Sequence, residues 1–335
     1  MRRFVTCLAV DLFLAACVLA APNEAYIKDA HIRDDAGIQP HKIRGLVDLT
    51  SIFGGRTWFV NSANTGAGDG GGYGATYKQP FATLGYAVSV ASAGDLILIA
   101  AGHTEAVTSA GDITLDKAIT IVGCGYGEKR PKFLFTTSTA ADIQITAAGV
   151  SIYNCIFECD KMGADHVRMV AVLAPGALIE NCLFREGMMT EQSLAFIVLD
   201  DKTTVPNYCT IRNNAFISAT AGAEHAIAID HASTGLVLEG NYIFGDYSTA
   251  CVHSGMAHTA CFIHHNSLTN THAGEPAIEF TAAATGVIEY NTVNCSLAAA
   301  LTKTAIDPGS CYCNMNYGSD AVGDVSGVLN PAIDT

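Results

Sequence analysis

Short apolar runs recur along the chain, and they come into register when aligned on their asparagines. Ile152-Tyr153-Asn154-Cys155-Ile156-Phe157 is followed by Ile179-Glu180-Asn181-Cys182-Leu183-Phe184 and Ile211-Arg212-Asn213-Asn214-Ala215-Phe216. Leu238-Glu239-Gly240-Asn241-Tyr242-Ile243, Ile263-His264-His265-Asn266-Ser267-Leu268 and Ile288-Glu289-Tyr290-Asn291-Thr292-Val293 continue the set. The rule is an aliphatic residue, two variable residues, Asn or Cys, one variable residue, then an apolar residue. The starts lie 27, 32, 27, 25 and 25 residues apart. A weaker copy falls at Cys311–Asn316, and Ile121-Val122-Gly123-Cys124 reads as an earlier one. Further strand-like runs precede several copies: Met169–Leu173, Phe196–Leu199, Ala226–Ile229 and Ala277–Phe280.

A period in the twenties with two or three short strands per unit predicts a solenoid. Helical repeats need apolar positions three and four apart, and leucine-rich repeats need their own leucine spacing; neither pattern occurs. An all-β, single-stranded right-handed parallel β-helix fits, each turn lying about 4.8 Å above the last. Like residues then stack in columns. Asn214, Asn241, Asn266 and Asn291 are expected to form an amide ladder of the kind stacked asparagines make in cross-β structures. Cys155 and Cys182 hold the same column in earlier turns and are expected to face inward, where a disulfide between neighbouring turns is conceivable.

The start of the coil is also readable. Trp58-Phe59-Val60 predicts a strand, Asn61–Thr76 a glycine-rich loop, and Pro80 the opening of a helix whose Phe81, Leu84, Val88 and Ala91 share one face. Such a helix closes the apolar end that a solenoid must cover. Gly66-Ala67-Gly68-Asp69-Gly70-Gly71 matches a dinucleotide-binding fingerprint in letters alone, because no helix follows directly and no acidic residue ends the next strand.

Composition narrows the possibilities. The 335 residues are 50% hydrophobic but only 15% charged, which excludes a disordered chain. Thirty-two acidic against 18 basic residues give a net charge of −14, a surface that repels phosphate backbones and argues against nucleic-acid partners. The 12 cysteines lack zinc-site spacing and read as small buried hydrophobes. Residues 1–21 place Arg2 and Arg3 before an apolar run, as in a cleaved signal, and Leu14-Ala15-Ala16-Cys17 resembles a lipoprotein box. Asp11 interrupts that run, which leaves a retained apolar anchoring segment as the other reading. Residues 22–56 form an N-terminal arm, mixed polar and apolar over Ala30–Gly45 and largely apolar over Leu46–Phe53; the coil occupies 57–335.

The stretch from Trp58-Phe59-Val60-Asn61 through Pro80-Phe81-Ala82-Thr83-Leu84, Gly94-Asp95, Ile97-Leu98-Ile99 and Gly102-His103-Thr104-Glu105 resembles the opening of pectate-lyase-like right-handed β-helix proteins. More narrowly, it resembles the β-helical virion proteins of tailed bacteriophages. The resemblance implies a non-enzymatic capsid decoration, head fibre or spike, located in the virion. It implies a homotrimer, partnered by the major capsid or other virion proteins, with a surface glycan as a further partner. No cofactor is implied. The alternatives are a secreted or outer-surface lipoprotein polysaccharide lyase or glycoside hydrolase, and a cell-surface carbohydrate-binding module.

Candidate chemistry on such a coil is sparse. A pectate-type lyase needs a calcium-binding acidic cluster and a basic arginine. Arg130, Arg168, Arg185 and Arg212 are expected to lie away from acidic clusters in adjacent turns. A hydrolase needs two carboxylates about 5–10 Å apart. Asp200-Asp201 and Asp230-His231 follow equivalent strands in successive turns and make the best acid–base candidates; as turn residues they would instead bond local backbone. Seven histidines lie between His225 and His272. His264 and His265 are expected on opposite strand faces, and only His231 and His258 are expected to meet across turns, so no metal site is assigned. No serine sits in a nucleophile elbow, Ser254 and Ser267 included.

Overall fold

In the computed structural model the described residues are 55–160, 164–187, 192–200, 204–218, 223–296, 305–320 and 325–329. Residues 1–54, and with them the signal-like segment and nearly all of the arm, lie outside them. Every described element falls within the compact unit Leu49–Thr335.

That unit is a right-handed parallel β-helix. Each turn contributes one strand to each of three sheets, of 10, 10 and 8 strands. The first sheet runs from Thr57–Val60 to Tyr312–Asn314, the second from Thr104–Ala106 to the terminal hairpin, and the third from Ile113–Leu115 to Ile306–Asp307. All pairings are parallel except the last, where Asn316–Asp320 meets Val325–Leu329 antiparallel. The asparagine motif does not form a single strand. It bends at a corner, so Ser151–Tyr153 belongs to the first sheet and Ile156–Cys159 to the second. The weak C-terminal copy is in register from Cys313, opposite Ile288, rather than from Cys311.

Stacking in register fills the interior with columns. Ile97, Ile121, Ile152, Ile179, Ile211, Leu238, Ile263 and Ile288 succeed one another in the first sheet. In the second, Phe133, Phe157, Phe184 and Phe216 stack with ring centroids 5.6, 4.6 and 4.9 Å apart. These rings are almost wholly removed from water, each burying the area that makes aromatics dominate a core. The third sheet adds Ile143, Val170, Ile197, Ile227, Val252 and Ile278.

At the first corner the polar column is continuous. Asn214 Nδ2 donates to Asn241 Oδ1 (3.2 Å), Asn241 to Asn266 (3.0 Å), Asn266 to Asn291 (2.9 Å) and Asn291 to Asn316 (2.9 Å). Each Oδ1 also accepts the backbone N–H of the ladder residue one turn earlier. Each second Nδ2 hydrogen goes to a strand carbonyl, for Asn241 that of Ile211. The buried amides are thus fully satisfied. Asn316, from the weak copy, extends the column one rung. At its other end Cys182 N donates to Asn214 Oδ1 at 2.8 Å, and Cys155 N points at Cys182 Sγ at 3.5 Å. Both cysteines are free thiols in the core, so no disulfide joins them.

The helix that closes the N-terminal end is shorter than Pro80 implies. It spans Leu84–Val90, with Thr83 as its cap accepting from Tyr86 N at 3.2 Å. Pro80 lies four residues ahead of it, and Asp69 of the glycine-rich loop instead holds the approach, accepting from Ala82 N at 2.9 Å. Leu84, Ala87 and Val88 seal the barrel. Glu105 accepts from Leu84 N at 2.7 Å, which places a carboxylate on the exposed N–H groups of the first turn.

Replacing Asn241 by Leu is expected to destabilise the protein by about 1–3 kcal/mol, because amides above and below lose a buried partner. Urea denaturation with an unchanged midpoint for Asn241→Leu would contradict the load assigned to the ladder.

Candidate functional site

The outer face of the third sheet gathers charge that sequence spacing alone kept apart. Strands His166–Val172, Ser193–Leu199 and Ala223–Ile229 stack with Leu199 opposite Ile229, so Asp200 and Asp230 leave their strands at equivalent points of successive turns. Arg168, from the turn below, bridges two carboxylates: Nε donates to Asp142 Oδ2 at 3.0 Å and Nη1 to Asp200 Oδ2 at 3.2 Å. Asp142 is buried and also accepts from Gln144 Nε2 at 3.0 Å. The expectation that no arginine adjoins an acidic cluster in a neighbouring turn is therefore corrected. Arg185 likewise bridges Glu128 (2.7 Å) and Glu158 (2.6 Å), and Arg212 pairs with Glu180 (2.8 Å). Sequence separations of 26–32 residues, and 57 for Arg185 and Glu128, hid these contacts, since one or two turns of chain separate groups that stacking brings together in space.

Asp230 sits beside the Asp200 charge. It keeps contact with solvent, yet crowding by its neighbours removes enough water to raise its carboxyl above the usual range, and the Asp200 charge raises it further. His253 and Arg168 act in the opposite sense. Asp201 lies outside the described residues. His231 turns away, its Nδ1 donating to Ala232 O at 3.0 Å.

Beside Asp230 the histidines form a stack rather than a ligand set. The His225 and His253 rings lie 4.6 Å apart and 13° from parallel, and His253 Nε2 is 3.7 Å from Glu279 Oε2. His225 is 9% exposed and its Nδ1 has no hydrogen-bond partner. Burial, then the nearby His253, lowers its pKa to about 4. Among the described residues no three His, Cys, Asp or Glu side chains are placed to hold a metal ion.

His258 lies near enough to His231 to feel its charge, as the sequence suggests, but its ring nitrogens are engaged elsewhere. Its Nδ1 accepts from Ser233 N at 3.1 Å, and its Nε2 contacts Ser254 Oγ. Ser254 also accepts from Met256 N and donates to Ile229 O, both at 3.0 Å. The Ser254 proton is thus committed to a carbonyl, and the pair closes a buried turn instead of activating a nucleophile. His264 and His265, expected on opposite faces, touch through Nδ1 atoms 2.8 Å apart. The cause is left-handed backbone at His265, φ 57°, which breaks strand alternation. Burial pushes the Cys182 thiol up to about 12 and Cys155 well above its ordinary range, so neither is a ready nucleophile.

The neutral, buried His225 links stability to pH. Its folded pKa lies below the unfolded value of about 6.5, so its stabilising contribution is complete above that value. The contribution is lost as pH falls from about 6.5 towards 4, where only the unfolded chain takes up the proton. Thermal melts between pH 7 and 4 are expected to show a stability loss that His225→Gln reduces; equal slopes for both proteins would contradict it.

With this geometry in place, comparison with known proteins adds little. No family model matches the chain, and no curated protein matches it. Among solved structures, a rhamnogalacturonan lyase aligns with a TM-score of 0.41 and 13% identity, covering 79% of this chain and 68% of that one. The likeness concerns the coil and carries nothing about chemistry.

Proposed function

We propose that this chain is a non-enzymatic structural protein of a virion, a capsid-associated decoration, fibre or spike that presents a rigid β-helix. The observation that carries the reading is the unbroken, fully bonded column from Cys182 to Asn316. A coil whose buried amides are all satisfied has little to gain from local opening, which suits a rod that must keep a fixed lateral surface and resist proteases. The ionic groups of the third sheet support the same reading, since Arg168 ties Asp142 and Asp200 across turns instead of leaving them poised. The major capsid protein or another virion protein is the partner, the arm of residues 22–56 the docking element, and a homotrimer the assembly.

A second reading rests on one specific observation, the raised carboxyl of Asp230 beside the arginine-held Asp200. In a polysaccharide-cleaving enzyme, Asp230 would protonate the departing glycosidic oxygen and Asp200 would serve as base or nucleophile. A carbohydrate-binding module would use the same face without cleavage. Mass spectrometry of purified particles is expected to find the chain in stoichiometric amount. The Asp200→Asn, Asp230→Asn double variant is expected to incorporate as well as the parent chain. Glycan cleavage by the parent chain that the folded double variant lacks would overturn the virion reading in favour of the enzyme.

A further inference from the structure

The corner between the first and second sheets carries a pattern that neither the ladder nor the third-sheet charges require. In seven successive turns, from Asn154 onward, the residue just before the ladder position has left-handed backbone. The earlier turns fill it with Asn154 (φ 58°), Asn181 (56°), Asn213 (55°) and Gly240 (64°). Asn and Gly adopt this region at little cost. At Gly240 a Cβ would lie 2.5 Å from Asn213 Oδ1, the end of a side chain that would have to turn aside. The last three turns fill the same position with His265 (57°), Tyr290 (55°) and Met315 (51°). Bulky side chains in this conformation are strained, and strain of this kind concentrates where a surface has work to do.

These side chains face solvent. Tyr290 is 45% exposed and Met315 40%, and Tyr312 and Tyr317 stand open beside them. The His265 and Tyr290 rings stack at 5.3 Å, and Tyr317 Oη donates to Met315 Sδ at 3.6 Å. Strand register places Glu239, His264 and Glu289 in one outward column next to this corner. In the preceding turns of that column Arg212 neutralises Glu180. Beyond it, residues 213–302 contain seven Asp or Glu and no Lys or Arg. The corner is therefore aromatic and anionic together.

We propose that this corner docks a segment of a partner protein that bears arginine or lysine. A guanidinium or ammonium group is drawn by the faces and edges of exposed rings and by carboxylates acting together. Its aliphatic stem covers apolar ring surface. The acidic surroundings repel phosphate and sulfate, which excludes an anionic partner. The inference stands apart from the virion reading, because it needs only the surface of the last turns.

The test uses the full chain and two fluorescent peptides, one alternating arginine with glycine and one alternating glutamate with glycine. The arginine peptide is expected to bind, more weakly at higher salt, and the glutamate peptide not to bind. Tyr290→Asn and Glu289→Gln are each expected to weaken binding about threefold or more. Tyr126→Ala, at an 84% exposed tyrosine in an early turn, leaves it unchanged. Tyr290→Asn also relieves the strained backbone, so its melting temperature is expected to hold or rise. No binding by the parent chain would overturn the proposal. So would equal binding by all variants, which would reduce the attraction to the net charge of −14 alone. A fall of more than about 2 °C in the Tyr290→Asn melt would overturn it too, by assigning the strained ring to folding.

Discussion

A buried asparagine amide has four hydrogen-bonding positions, and at Asn241, Asn266 and Asn291 the fold uses all four. Asn266 shows the arrangement: its Oδ1 receives Asn241 N and Asn241 Nδ2, and its Nδ2 gives to Asn291 Oδ1 and Leu238 O. A leucine column buries more apolar area but accepts a slipped turn as readily as a correct one. An amide column does not, because a shift leaves donors unpaired inside an apolar core at about 1–3 kcal/mol each. Hydrophobic burial drives the chain to coil, and the ladder selects which residue lies above which. The thiols of Cys155 and Cys182 take the column over in earlier turns, with a longer contact of 3.5 Å between Cys155 N and Cys182 Sγ. Stacked phenylalanines opposite supply the alignment there.

Once register is fixed, the outer faces follow. Groups one or two turns apart in sequence come to lie close in space, so charge pairs form between turns rather than along them. Arg168 with Asp142 and Asp200, and Arg185 with Glu128 and Glu158, are consequences of stacking. Most of these groups keep some contact with water and contribute little each. Asp142 is the exception, buried and dependent on Arg168 for compensation. The same register brings Asp230 beside Asp200, whose charge raises the Asp230 carboxyl.

The coil was legible because its columns repeat a chemical type, and repetition survives without an alignment. Asn214, Asn241, Asn266 and Asn291 announced their column by identity. Asn154, Asn181 and Asn213 stood in a position that reads as variable, since Gly240, His265 and Tyr290 share it. The common factor is a backbone angle, and it becomes visible only once Asn and Gly are recognised as left-handed formers. The arginine bridges were hidden for a different reason. Ion pairs between turns depend on which outward column each residue joins, and one residue inserted at a corner changes that. The Ser254–His258 contact, four residues apart, was missed because no regular element predicts it. The helix began late because Thr83, rather than Pro80, offers the capping oxygen.

The central claim, that stacked amides lock one register along the rod, is tested most directly by hydrogen exchange. The backbone N–H groups of Asn214, Asn241, Asn266 and Asn291 each donate into the next rung. If the ladder opens only when the whole coil opens, peptides spanning these four positions exchange together, at the rate of global unfolding. Exchange at any of them well ahead of that rate, with the neighbouring strands still protected, would show that the rungs open singly and do not hold the register.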